Sequence, residues 1–315
     1  MNMSNLTKYQ GIIPAFYACY ADDGSISPER TRALTQLMID KGVKGLYVCG
    51  SSGECIYQGK EERKITLENV MAVASGKHAK GRLTVIAHVA CNNTADSMEL
   101  AAHAESLGVD AIAAIPPIYF RLPDHAIAQY WNDISSAAPN TDFVIYNIPQ
   151  LAGVALTVPL FRKMMENERV IGVKNSSMPI QDIQMFKAAG GENHVVFNGP
   201  DEQLVGGLAI GADGGIGGTY GVMPELYLTM ERLVRAGRIG EAQEIQYMAN
   251  DIIAAMCSCH GNMYAVEKKI IALRDGVECG GVRKPLANLI PQDMATVEKC
   301  RSMIDAAVDF CSRVR

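Results

Sequence analysis

Basic residues are not in excess in this chain: 29 Lys and Arg stand against 34 Asp and Glu, and the formal net charge is −5. Without a basic surplus or cluster there is no electrostatic case for nucleic-acid binding. Nor does any run approach the roughly eighteen apolar residues that a membrane span needs, and the first residues lack a basic segment leading into an apolar core. The expectation is a cytoplasmic protein with neither nucleic acid nor membrane as partner. Nine cysteines include no CxxC pair, and six histidines include no HxH or HExxH. Reduced thiols are expected, and no metal. Cys257-Ser258-Cys259-His260 is a local cluster of metal-ligand residue types, but its spacing matches no zinc pattern.

What the chain does have is apolar content, 48% over 315 residues, enough to bury a large core. A helix-to-strand junction recurs as Gly42-Val43-Lys44-Gly45, Gly108-Val109-Asp110-Ala111 and Gly211-Ala212-Asp213-Gly214, which implies a repeated βα unit. Strands are predicted at Gly11 to Cys19, Gly45 to Cys49, Leu83 to His88, Asp110 to Ile115, Thr141 to Tyr146, Val170 to Lys174, His194 to Asn198 and Gly214 to Gly217. Between them lie amphipathic helical stretches, the first opened by Ser27-Pro28-Glu29 as cap, proline and first-turn acid. Eight alternating units fit a closed (β/α)8 TIM barrel. No glycine-rich turn follows the first strand, as a doubly wound sheet would want. The expected division is a barrel over residues 1–236 that carries the active site. Additional C-terminal helices over 237–315, namely Ile239 to Cys257, Tyr264 to Leu273 and Asp293 to Arg313, are expected to pack on it.

In such a barrel the chemistry sits where the strands end. The sixth predicted strand ends in Lys174, followed by the turn Asn175-Ser176-Ser177. With period-2 alternation Val170, Gly172 and Lys174 share one face, and Gly172 leaves space beside the ammonium. A lysine in an enclosed apolar site can be freed of its proton and attack a ketone; a solvated strand-end lysine is the plainer alternative. Gly50-Ser51-Ser52-Gly53, after the second strand, can present successive backbone N–H groups and two hydroxyls to an anion, or be an ordinary turn. Tyr146, on the strand beside Lys174, can shuttle a proton or simply be a buried tyrosine.

Gly50-Ser51-Ser52-Gly53-Glu54, Tyr146-Asn147-Ile148-Pro149 and Gly172-Val173-Lys174, in this order and spacing, resemble the dihydrodipicolinate synthase and N-acetylneuraminate lyase superfamily over roughly residues 8 to 310. The resemblance implies a (β/α)8 barrel, usually tetrameric, that runs Schiff-base chemistry on pyruvate or another 2-oxo acid without cofactor. It implies that Lys174 forms the Schiff base, that Tyr146 moves protons, and that Tyr119 completes the relay from an adjacent subunit. Ser51, Ser52 and Gly53 would hold the pyruvyl carboxylate.

Within the superfamily, Leu151 stands where members that accept aspartate semialdehyde place an arginine. The segment is more similar to the lyases, as is Ile86-Ala87-His88-Val89. Asp201 and Glu202, after Gly199, resemble the acidic pair that accepts sugar hydroxyls; first-turn acids of a helix are the alternative. Three positions depart from the lyase pattern: Gly218 for a serine, Pro200 for an aromatic, and Asn175-Ser176 for a residue-threonine pair. Ser176 keeps the hydroxyl. The expected reaction is reversible cleavage of N-acetylneuraminate to pyruvate and N-acetylmannosamine. Cleavage of a 2-keto-3-deoxy sugar acid, a phosphate bound at Gly214 to Gly218, and a non-catalytic sugar-acid-binding barrel are the alternatives.

Overall fold

Short runs of apolar and small residues make the strands, and helices with one buried face separate them. The computed structural model describes residues 6–75 and 83–314. In chain order the elements are β1 (Gly11–Pro14), α1 (Pro28–Asp40), β2 (Gly45–Val48), α2 (Lys60–Ala74), β3 (Thr84–His88), α3 (Thr94–Ser106) and β4 (Ala111–Ala114). There follow α4 (Asp124–Ser136), β5 (Asp142–Asn147), α5 (Pro149–Ala152), α6 (Val158–Met164), β6 (Val170–Asn175), α7 (Gln181–Gly190), β7 (Val195–Asn198) and α8 (Leu204–Ala209). The last are β8 (Gly214–Gly217), α9 (Pro224–Arg235), α10 (Ile239–Cys257), α11 (Met263–Asp275) and α12 (Met294–Arg313).

All neighbouring strands pair in parallel, in the order β1-β8-β7-β6-β5-β4-β3-β2. The bridge between Ala15 and Tyr47 joins β1 to β2 and closes the cylinder. This is the expected (β/α)8 barrel. Alternate strand residues serve two cores. Ile13, Tyr47, Ile86, Val144, Tyr146 and Phe197 fill the interior, while Val48, Val85, Ile145, Val173 and Val196 pack outward against the helices. The helix α10 packs on α8, α9 and α12, and α11 packs on α10 and α12.

The helix starts follow local chemistry. The Ser27 hydroxyl accepts the Arg30 N–H at 3.3 Å, with Pro28 in the first turn, and Asn93 caps α3 by accepting from Asp96 at 2.8 Å. Gly42 turns the chain out of α1 at φ 77, a conformation that costs glycine little. The strand β1 stops at Pro14 rather than Cys19. Beyond it the chain is shared between two neighbours: the Ala15 N–H donates to Gly217 C=O at 2.8 Å and the Phe16 N–H to Tyr47 C=O at 2.9 Å. The short helix α5 was not expected; Pro149 starts it, and Gly153 at φ 72 ends it. Asp201 and Glu202 lie in a single 3-10 turn, Asp201–Gln203, ahead of α8.

Strict alternation fails in β6. The register against β5 shifts between Phe143 and Val144, which pair with Val170 and Gly172. Val170 and Val173 therefore face the helices while Ile171 faces the interior, so Val170 and Lys174 do not share a face. The irregularity re-aims the strand and delivers Lys174 to the barrel interior. Gly172 is required by its backbone: at φ 155, a Cβ there would lie 1.9 Å from the Val195 carbonyl oxygen. It does not serve as space beside the ammonium. Gly172→Ala is expected to cost about 2 to 4 kcal/mol, from backbone strain and overpacking together. Urea denaturation measures this; an unchanged midpoint would show that the strands part without penalty.

Candidate active site

Lys174 is 4% exposed at the end of β6, between its register partners Tyr146 and Phe197. Its ammonium lies 4.0 Å from the centroid of the Tyr146 ring and 4.3 Å from that of Tyr47. No carboxylate pairs with it among the described residues. The two tyrosine rings meet edge to face at 5.6 Å, and the His88 ring stands 5.9 Å from Tyr146 at 88°. Burial, helped by the Arg63 guanidinium, holds the His88 imidazole well below its usual pKa and so neutral. Its Nδ1 lies 3.0 Å from Cys49 C=O, an assignment that makes Nδ1 the N–H donor. Burial pushes the Tyr47 phenol far up, and its hydroxyl has no hydrogen-bond partner among the described residues.

The glycine-serine loop lies over the same rim. Cys49 and Glu54 bracket it with φ of 59 and 55, unusual for side chains with a Cβ. Glu54 N–H bonds to Ser51 C=O at 2.9 Å, and the loop turns its Ser51 hydroxyl to 3.4 Å from the Tyr146 hydroxyl. Ser52 is buried in the cavity wall. Gly53 is not in that wall; it sits behind the loop, where a Cβ would press to 3.1 Å on Cys49 Cα.

What fixes the loop is a buried ion pair. Glu54 accepts from Lys268 Nζ of α11 at 2.7 Å, with side chains 0% and 1% exposed. It also accepts the Arg283 N–H at 2.8 Å and the Tyr20 hydroxyl at 3.3 Å. A second network holds the strands bearing the tyrosine and the lysine. Asn147 donates to Asn175 Oδ1 at 2.7 Å, Asn175 to Ser177 Oγ at 2.9 Å, and Ser177 to Asp182 at 2.6 Å. Asn175 is thus part of the wall's framework, not of the cavity.

A cavity of about 320 Å³ runs from Lys174 outward, and Ser51, Ser52, Tyr146, Ser176, Gly199, Asp201, Glu202 and Gly218 line it. All of these were expected at the site. Gly199 can approach closely because it has no Cβ; one would fall 2.0 Å from Ser176 Oγ. Asp201 is buried and accepts both the Thr219 N–H and hydroxyl at 2.6 Å. Burial nevertheless raises it to about 6, against the pull of those two donors. Glu202 is exposed at the mouth. At Gly218 a Cβ would meet only Ser52 Oγ at 3.3 Å and Asp201 Oδ2 at 3.9 Å, so the missing side chain leaves that wall open. Tyr119 lies outside the cavity in its own chain, 90% exposed at φ 91 and stacked edge-on with Phe120. A mostly apolar cavity of about 480 Å³ adjoins on the far side of Ser51 and Leu151, with His88, Cys91 and Arg63 in its walls.

Sequence reasoning missed Tyr47, Tyr264 and Glu267. Tyr47 carried a signal, a phenol inside a four-residue strand whose alternation points it inward. Tyr264 and Glu267 reach the cavity from α11, and nothing local in the sequence ties that helix to the barrel's rim.

Residues 8–304 match the model of the dihydrodipicolinate synthetase family. The chain is 66% identical to the N-acetylneuraminate lyase of Mediterraneibacter gnavus over 309 residues, 98% of this chain and 96% of that one. It is 32% identical to the N-acetylneuraminate lyase of Rhizobium meliloti over 308 residues, 97% and 99% of the two chains. Among solved structures, a catalytic lysine mutant of the Ruminococcus gnavus sialic acid aldolase superimposes with a TM-score of 0.94 at 64% identity, covering 97% of this chain and 98% of that one.

Because both charges of the Glu54–Lys268 pair are buried, removing one strands the other. Lys268→Met should lower stability by about 3 to 5 kcal/mol, and the double substitution Glu54→Gln with Lys268→Met should recover part of the loss. Urea unfolding of both variants tests this. A loss under about 1 kcal/mol in the single variant would show that the pair does not hold the loop.

Proposed function

The chain belongs to the dihydrodipicolinate synthetase family, and from that premise we propose that it is a class I aldolase that reversibly cleaves N-acetylneuraminate to pyruvate and N-acetylmannosamine. The observation that carries the reading is an ammonium enclosed by two aromatic faces at 4.0 and 4.3 Å, with no anion paired to it among the described residues. Similarity to a sialic acid aldolase whose lysine is named catalytic adds to it.

Lys174, as the neutral amine, attacks the C2 ketone of the open-chain sugar acid, and the carbinolamine hydroxyl leaves as water on a proton from Tyr146, giving an iminium and a phenolate. The substrate carboxylate is held by the N–H groups and hydroxyls of the Ser51–Ser52 loop. Tyr146 takes the proton of the C4 hydroxyl; the C4 oxygen becomes the carbonyl of N-acetylmannosamine as the C3–C4 bond breaks and its electrons pass into the iminium. The resulting enamine takes a proton at C3, water adds at C2, and pyruvate leaves with Lys174 restored. Ser51, whose hydroxyl lies 3.4 Å from that of Tyr146, extends the proton path. Tyr119 is assigned to a neighbouring copy's site, a role its 90% exposure suits, in a homotetramer. Asp201, Glu202, Ser176, Gly199 and Gly218 are assigned to the sugar.

The same reading divides the chain into a barrel over 1–236 and a helical extension over 237–315, and places its work in the cytoplasm. Nine cysteines without a disulfide suit a reducing compartment, and among the described residues no helix is long and apolar enough to cross a membrane.

The testing experiment is incubation with pyruvate, reduction with borohydride and mass measurement. One reduced pyruvate adduct on Lys174 is expected, and none at saturating pyruvate would sink the aldolase reading. Tyr146→Phe should leave that adduct detectable while slowing cleavage by roughly 10² to 10⁴; undiminished turnover would remove Tyr146 from the proton path.

Asp201 supplies a pH signature. Its carboxyl, raised to about 6, loses its charge as pH falls through that value, and with it the stronger, charge-assisted bonds it can accept from sugar hydroxyls. The KM for N-acetylneuraminate should therefore climb below pH 6, by about tenfold per unit. Asp201→Asn should show a raised KM without the climb. A KM that stays level down to pH 5 in the unsubstituted enzyme contradicts this assignment.

A further inference from the structure

One carboxyl in the wall of the lysine's cavity has no place in the mechanism above. Glu267, in the second turn of α11, lies in the same wall as Met263, Tyr264, Asp201 and Gly218. It is 0% exposed, and neither carboxyl oxygen has a hydrogen-bond partner among the described residues. The groups around it are already committed. Lys268, next in the helix, gives its ammonium to Glu54 at 2.7 Å and to Gly281 C=O at 2.8 Å. The Tyr17 hydroxyl donates to Gly218 C=O at 2.6 Å, and Asp201 Oδ2 already accepts twice from Thr219. Burial, reinforced by the charge of Asp201, raises the Glu267 carboxyl well above the usual range, and the nearby Tyr17 hydroxyl and Lys268 charge do not offset it. Burial without a partner thus favours its neutral, protonated form.

A neutral carboxylic acid has one donor and spare acceptors, and leaving them unmatched in a buried wall costs on the order of 1 to 3 kcal/mol. Asp201, assigned above to the sugar, shares this wall with the acid, and the open position at Gly218 lies next to Asp201 Oδ2, which puts the acid within reach of the acceptor half of the substrate. We propose that Glu267 is a specificity-determining residue for that half: its carboxylic acid gives and takes hydrogen bonds with a hydroxyl of the polyhydroxylated portion that departs as the aldehyde. The assignment rests on the aldolase reading of Lys174. It explains how a wall with glycine at 218 still recognises a polyol, since the donor absent at that position is supplied from α11.

Two substitutions test it, each read both by pyruvate trapping on Lys174 and by KM for N-acetylneuraminate. Glu267→Leu should raise KM about tenfold, the worth of a hydrogen bond or two, while the pyruvate adduct forms as before. Glu267→Gln, which keeps a donor and an acceptor without titrating, should recover all but about threefold of that loss. It should also abolish the rise in KM expected at alkaline pH as Glu267 ionises, a readout that stands if the leucine variant does not fold. An unchanged KM in Glu267→Leu, or an alkaline rise that persists in Glu267→Gln, overturns the proposal. So does a fall in pyruvate trapping that tracks the rise in KM, since that marks a purely structural role. Absence of the adduct in the unsubstituted enzyme is a different failure, that of the aldolase reading, and the assignment of Glu267 falls with it.

Discussion

An ammonium packed between two aromatic faces, with no carboxylate paired to it among the described residues, is the arrangement on which the rest of this molecule depends. A carboxylate partner would hold a proton on a lysine and occupy the space its amine needs. Aromatic faces compensate a cation by about 0.5 to 2 kcal/mol and compete for no lone pair. Tyr146 and Tyr47 therefore do what an ion pair cannot: they house Lys174 in the barrel while leaving its nitrogen free to bond carbon. The cost shows elsewhere in the same cluster, in the Tyr47 hydroxyl that finds no hydrogen-bond partner among the described residues.

Holding that arrangement requires both strands and both rims to be fixed. The irregularity at Gly172 turns β6 so that Lys174 points inward, and the chain from Asn147 through Asn175 and Ser177 to Asp182 pins the strand ends. On the opposite side, Glu54 reaches 214 residues along the chain to Lys268. The Ser51–Ser52 loop is thereby anchored to α11, a helix that follows the barrel in sequence. The C-terminal helices are thus not a covering added to a finished barrel; they carry the cation that orders one side of the site and two residues of its wall.

Legibility in the sequence followed the range of the signal. The barrel was readable because its evidence is repeated and local: apolar runs, capped helices and three similar helix-to-strand turns. Lys174, Tyr146, Ser51 and Ser52 were readable because each sits at a strand end. Alternation failed in β6, where Gly172 answers to the Val195 carbonyl across the ladder, a contact no window around residue 172 contains. The same limit hid Tyr47, which needs the register of three strands to meet Lys174, and Glu267, which needs the docking of α11. Asn175 shows the converse: a residue that stood out as a departure from the lyase pattern is buried framework between two strands.

The two buried acidic groups in the cavity wall differ for a reason that bears on selectivity. Asp201 is buried, as Glu267 is, but is met by two Thr219 donors, so its charge survives at neutral pH. Glu267 meets no donor among the described residues, and burial favours its protonated form. One wall therefore offers a charged acceptor and a neutral acid within a single cavity, which suits a substrate rich in hydroxyl groups, each able to give one hydrogen bond and accept others. An acceptor such as aspartate semialdehyde brings a carboxylate instead. With Leu151 in place of a cation and the Asp201 charge in the wall, that carboxylate would be desolvated without compensation, so on the proposed reading repulsion and the missing partner would count against it as much as lost hydrogen bonds.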